Sequence, residues 1–189
     1  MKLLKISIFS FLAAFIFWLT DTKAQPLSVQ LGIYDFTDNA ASEFYLLAPT
    51  ILVGYDVWKS SLLSSHISSG LSYTQIKYNN HFHCLYMIPL MVTVNYDIPN
   101  PDSKVWPVIG MGLSILEKAD QNKDFVKTHY SFLYGYHATG GLRFQQKNNI
   151  ILTLDITYNL LIPPTMEDVN MNGIIFTFGV RFPIKLKKL

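Results

Sequence analysis

From about residue 27 onward, large apolar side chains alternate with small polar ones. Tyr86, Ile88, Leu90, Val92, Val94 and Tyr96 share one face of an extended segment, and Met87, Pro89, Met91, Thr93, Asn95 and Asp97 share the other. Near the C-terminus Ile174, Phe176, Phe178, Val180 and Phe182 alternate with Ile175, Thr177, Gly179 and Arg181. A period of two marks a strand rather than a helix. The pattern predicts eight strands, over Leu27–Asp35, Phe44–Trp58, Leu62–Tyr78, Phe82–Asp97, Val105–Leu116, His129–Gln145, Asn149–Leu161 and Gly173–Pro183. Several exceed the 9–11 residues that cross a bilayer. The connections at Trp58–Ser61, Ile98–Lys104 and Gln146–Asn148 are mostly short. Those at Phe36–Glu43, Glu117–Thr128 and Ile162–Asn172 are longer and richer in charge, with Asn79–His81 the short exception. Pro49, Pro89 and Pro107 fall inside strands, where a missing ladder donor predicts a bulge or a strand end.

Alternation alone fits either a membrane barrel or a soluble lipocalin-like barrel whose apolar face surrounds a ligand. The composition of the polar face separates them. A soluble barrel coats its outside with Lys and Glu. Here the polar positions are Thr50, Gly54, Ser68, Gly70, Ser72, Thr93, Gly110, Gly112, Ser114, Gly141, Thr153, Thr157, Thr177 and Gly179, all small and uncharged. Such residues suit the narrow interior of an eight-stranded barrel. The fold expected is all-β: an eight-stranded antiparallel up-and-down transmembrane β-barrel with its bulky face toward lipid.

The first 24 residues read as a cleavable signal peptide. Lys2 and Lys5 precede an apolar run from Ile6 to Leu19, and the small residues Thr22 and Ala24 stand just before Gln25. That run is shorter than the ~20 residues of a spanning helix. Cleavage leaves residues 25–189 as one domain with 12 basic and 12 acidic residues (15 − 3 and 13 − 1). A chain of zero formal charge gives no reason to expect nucleic acid as a partner. Cys84 is the sole cysteine, so no internal disulfide forms.

A Lys or Arg facing lipid at mid-membrane costs about 2–4 kcal/mol, so strand charges belong inside. Asp56, Asp97, Arg143, Asp155 and Arg181 are each in phase with the small polar set of their own strand. They are expected to form a luminal charge cluster that holds the barrel shut. Tyr45, Tyr55, Trp58, Tyr73, Tyr86, Tyr96, Trp106, Tyr130, Phe144, Tyr158, Phe176 and Phe182 are expected in aromatic girdles at the two membrane surfaces.

Ile88-Pro89-Leu90, followed by Pro107-Val-Ile-Gly110-Met-Gly112 on the next strand, resembles the outer-membrane β-barrel domain family of Bacteroidota, and the likeness extends over nearly the whole mature chain. It implies a porin-like integral protein of the cell outer membrane, with some relatives tied to secretion and gliding. The final strand ending at Phe182 resembles the aromatic C-terminal strand recognised by barrel-assembly machinery, although Pro183–Leu189 continue past it.

Two further motifs carry side chains capable of chemistry. His129-Tyr130-Ser131 is similar to the His-x-Ser-Asn pattern of outer-membrane lipid A deacylases, but position 132 is Phe and no orienting acid is evident. His81, His83 and Cys84 offer ligand-type side chains, yet a metal site needs three or four ligands from one place. The sequence thus points to no catalytic residue, no metal and no cofactor. Its expected partners are outer-membrane lipid and a protein bound at the outward loops, with a soluble ligand-binding barrel and the lipid hydrolase as alternatives.

Overall fold

A computed structural model describes residues 25–45, 47–78, 81–100, 103–122, 127–163 and 169–184. The proposed signal peptide lies outside them. Eight strands are present: β1 (Gln25–Phe36), β2 (Leu47–Lys59), β3 (Leu63–Tyr78), β4 (His81–Asp97), β5 (Val105–Asn122), β6 (Lys127–Gln145), β7 (Ile151–Ile162) and β8 (Gly173–Ile184). Each pairs antiparallel with its neighbours in sequence, and β8 returns to pair with β1 from Gln25↔Ile184 to Phe36↔Gly173, closing the barrel. Closure satisfies every edge, which an open sheet of this size would leave exposed.

The bulky face points outward around the wall. Ile33, Val53, Leu71, Ile88, Met111, Leu154 and Phe178 are all exposed, Met111 to 72%. The small polar set points inward, with Thr50, Ser68, Ser72, Thr93, Ser114, Thr153 and Thr177 buried. This corrects the lipocalin-like alternative, which required an apolar interior. The interior away from the long-connection end is polar because residues i and i+2 share a face, and the small polar set is the one that fits the lumen.

Several boundaries differ from the sequence expectation. Residues Asn39–Phe44 form a short helix, α1, within the connection expected over Phe36–Glu43, and β2 starts at Leu47 rather than at Phe44. Asp38 starts it, its side chain accepting from the Ala41 amide at 3.4 Å, and Ala41 is fully buried beneath it. β5 runs to Asn122 and β6 starts at Lys127, so most of the supposed loop Glu117–Thr128 is a hairpin. β7 starts at Ile151 because Asn148 and Asn149 turn the chain with φ of 62° and 60°, a region Asn tolerates better than most residues.

Pro89 makes no bulge. The β3–β4 register is continuous on either side of it, and only the rungs around Gly70 and Pro89 are missing from the ladder. Pro49 and Pro107 stand two residues inside the starts of β2 and β5. The barrel's register shift falls instead on β2, between Asp56 and Trp58.

Candidate functional site

Side chains fill the lumen in two layers. Toward the end that carries the longer connections, the filling is apolar. Tyr34, Phe36, Leu85, Leu133, Leu161 and Ile175 pack beneath α1 and Met171. The rings of Tyr34 and Phe36 lie 5.1 Å apart, and those of Phe36 and Tyr45 5.7 Å apart. The Tyr34 hydroxyl donates to the Met171 carbonyl at 2.5 Å, and the Leu161 amide donates to Asn172 Oδ1 at 2.6 Å, so the chain around 171 is tied down across the opening.

Tyr45 belongs to this plug and not to a girdle. It is buried, and its hydroxyl donates to Asp120 Oδ2 at 2.9 Å. Burial pushes the phenol above its ordinary pKa and Asp120 adds to that, so Tyr45 remains a donor at any physiological pH.

Below the plug lies a polar layer built from inward positions of all eight strands. Asp56 on β2 meets His66 Nδ1 on β3 at 2.6 Å, and Arg181 Nη1 on β8 approaches both Asp56 oxygens at 3.3 Å. Arg143 on β6 donates to Asp155 Oδ1 on β7 at 2.5 Å, and Gln30 Nε2 on β1 donates to Asp155 Oδ2 at 2.9 Å. Higher up, His137 lies between Thr93 and Ser114, with each ring nitrogen 2.8 Å from a hydroxyl, and Ser114 donates onward to Asn159 Oδ1 at 2.9 Å.

Glycines make room for these groups. A Cβ on Gly54 would fall on the His66 imidazole and against the Ser28 hydroxyl, and one on Gly141 would fall on the Asp155 carboxylate.

Of the five charged residues expected inside, four are brought together. Asp97 is not among them. It stands at the end of β4, one-fifth exposed, with Lys59 Nζ at 4.0 Å. The sequence reading missed Gln30, His66, His137 and Asn159. The signal was available, because His66 is in phase with Ser64 and Ser68, and His137 with Gly135 and Thr139. A histidine between small residues resembles a scattered one until the register is known.

Ser28, His66 and Asp56 follow the order of a nucleophilic triad, with Ser28 Oγ 3.4 Å from His66 Nε2. A triad needs room for a substrate beside its nucleophile. Ser28 is buried, and the void in this layer, bordered by His66, His137, Arg143 and Asp155, measures about 30 Å³. That is enough for a water or two and for no acyl group.

His129 and Ser131 lie on the inward phase of β6, His129 exposed at its upper end and Ser131 buried, while Tyr130 and Phe132 point out. Cys84 is buried against Tyr73 and Gln75, with sulfur contacts of 3.6 and 3.7 Å. Among the described residues no cluster of three metal-ligating side chains occurs, and the His81 side chain lies outside them.

No protein-family model matches the sequence, and no curated protein does. Solved structures do match the fold. Neisserial surface protein A is 13% identical with a TM-score of 0.62, covering 87% of this chain and 98% of its own. Ail, the attachment invasion locus protein of Yersinia pestis, is 11% identical with a TM-score of 0.56, covering 86% and 100%. The outer membrane enzyme PagL is 12% identical with a TM-score of 0.52, covering 84% and 99%. These likenesses establish the eight-stranded barrel fold. Since they include an enzyme, the fold leaves the activity open.

Proposed function

We propose that this chain is an integral protein of the bacterial outer membrane, without catalytic activity, whose barrel presents its long-connection end to the cell exterior as a structural or partner-binding surface. The observation that carries this reading is the continuous outward belt of Ile, Leu, Val, Phe and Tyr around all eight strands. Contiguous apolar patches on soluble monomers rarely exceed a few hundred Å², so a belt of this extent needs lipid against it.

Along β4 the outward residues Tyr86 and Tyr96 bracket the belt ten positions apart. At ~3.4 Å per residue and a tilt near 40° this spans about 26 Å, the height of an outer-membrane apolar band. The similar barrels named above include outer-membrane proteins, and the Ile88-Pro89-Leu90 and Pro107/Gly110/Gly112 elements support a place in the Bacteroidota outer-membrane barrel family. A leader over residues 1–24 would supply export.

The filled lumen argues against the transport that the label porin-like invites. Burial of Ser131 on the inner phase argues against lipid hydrolysis, because an acyl chain in the membrane would meet Tyr130 and Phe132 instead.

Fractionation tests the reading. The protein should appear in the outer-membrane fraction and migrate faster on gels unheated than boiled. Recovery in the periplasmic soluble fraction would overturn it.

A further inference from the structure

Charge is divided unequally between the two ends of the barrel. Around the short connections and after β8, segments 57–62, 97–105, 145–150 and 184–189 hold six lysines and two carboxylates. Around the long connections, segments 35–46, 77–83, 117–129 and 163–172 hold eight carboxylates and four lysines. The short-connection end is therefore the basic one, although residues 25–189 carry no formal net charge.

The three described lysines at this end are set on tight turns. Lys59 ends β2, where the Ser60 amide donates to the Leu63 carbonyl at 2.7 Å. Lys104 precedes β5, and its carbonyl accepts from the Gln145 amide at 2.8 Å, which brings it beside the Lys147–Asn149 turn after β6. Lys104 and Lys147 are exposed, and neither pairs with a carboxylate among the described residues. Lys59 has Asp97 4.0 Å away, yet nearly half of its side chain is open to solvent. Because β2 and the β5–β6 pair lie on different sides of the ring of strands, the lysines are spread around the rim.

Exposed apolar side chains accompany them. Trp58 and Leu62 flank Lys59, and Ile98 stands in the connection that leads to Lys104, all three exposed. Directly after β8 the sequence interleaves Lys185, Lys187 and Lys188 with Leu186 and Leu189.

An occupant of this rim must satisfy cations and apolar groups at one height. An acidic polymer in water answers the lysines and leaves Trp58, Leu62 and Ile98 exposed. A phospholipid surface answers both, since the apolar groups enter the interface while lysine stems extend to the phosphates. The excess of lysines over carboxylates selects a headgroup of net negative charge over a zwitterionic one. We propose that the short-connection rim binds anionic phospholipid headgroups of the leaflet at that end. This inference rests on the membrane-spanning reading given above and adds to it the kind of lipid.

The full chain with Trp18→Phe keeps Trp58 and Trp106 as its fluorophores, both at this end. It is placed in phosphatidylcholine vesicles that carry an equal minor share of either phosphatidylglycerol or phosphatidylcholine brominated near the headgroup end of its chains. The brominated phosphatidylglycerol should quench tryptophan about threefold more effectively. Raised salt should remove the difference. Lys59→Gln, Lys104→Gln, Lys147→Gln, Lys185→Gln, Lys187→Gln and Lys188→Gln in one chain should bring the ratio to about one. Lys123→Gln with Lys127→Gln, at the opposite end, should leave it unchanged.

Equal quenching by the two lipids, or a preference that survives the six substitutions, would overturn the proposal. So would lysine-dependent cosedimentation with insoluble peptidoglycan in place of the lipid preference, which would assign the lysines to the cell wall. Failure of the chain to insert into vesicles at all would overturn the membrane reading beneath it, which keeps the two outcomes distinct.

Discussion

Arg181 on the last strand reaches Asp56 on the second, 3.3 Å from both carboxylate oxygens and 125 residues away in sequence. β1 lies between them. Gln30 on β1 likewise reaches across β8 to Asp155 on β7. Both links therefore straddle the seam where the two ends of the chain close the barrel. We assign the luminal cluster the role of fastening that seam.

Asp56→Ala should weaken the barrel severely, because it leaves Arg181 and His66 buried without their acceptor. Removing one member of a buried ion pair costs about 3–5 kcal/mol. The urea midpoint, read by the shift between folded and unfolded gel bands, should fall accordingly. The double change Asp56→Leu with Arg181→Met should recover much of the loss. A midpoint unmoved by Asp56→Ala would remove the fastening role.

Gly54→Val should destabilise by about 1–3 kcal/mol through overpacking against His66. Gly140→Ala is the control. A methyl there meets nothing within 4 Å, so its effect should stay within ~0.5 kcal/mol. The same folding assay ranks the two, and equal effects would contradict the inward phase of Gly54.

Ile156→Arg puts a charge on the outer face midway along β7 and should cost about 2–4 kcal/mol of folding stability in phospholipid bilayers. Trp58→Arg, at the rim, should cost ~0–1 kcal/mol. Indifference at position 156 would mean that lipid does not touch this wall.

The apolar plug and the small polar void predict that the protein in planar bilayers shows no steady conductance. A reproducible open channel in the unmodified protein would contradict the sealed lumen.

Tyr45→Phe deletes the hydrogen bond to Asp120 that ties the chain after α1 to the β5–β6 hairpin. The net loss should be about 1 kcal/mol. Hydrogen exchange of the Ser42 and Tyr45 amides, which donate to Asp38 and Ala41 carbonyls, should speed several-fold while the strands keep their protection. Unchanged exchange would show that this bond does not hold the plug.

Alternation in the sequence was sufficient to define eight strands, their inner and outer faces and the all-β class, because side-chain direction in a strand is a local property of period two. The inward phase of Asp56, Arg143, Asp155 and Arg181 followed from the same rule. Where local rules compete, the sequence misled. Asn39–Phe44 became a helix because Ala41 and Tyr45 find a buried surface on the plug, and β5 continued to Asn122 because β6 was there to pair with it. Partners inside the lumen needed the closed barrel. Arg181 with Asp56, Gln30 with Asp155 and His137 with Thr93 are contacts between strands that share no rung, fixed by barrel diameter and register rather than by neighbours in the chain. The residues thus dictated which way each side chain points, and only closure of the sheet decided which of them meet.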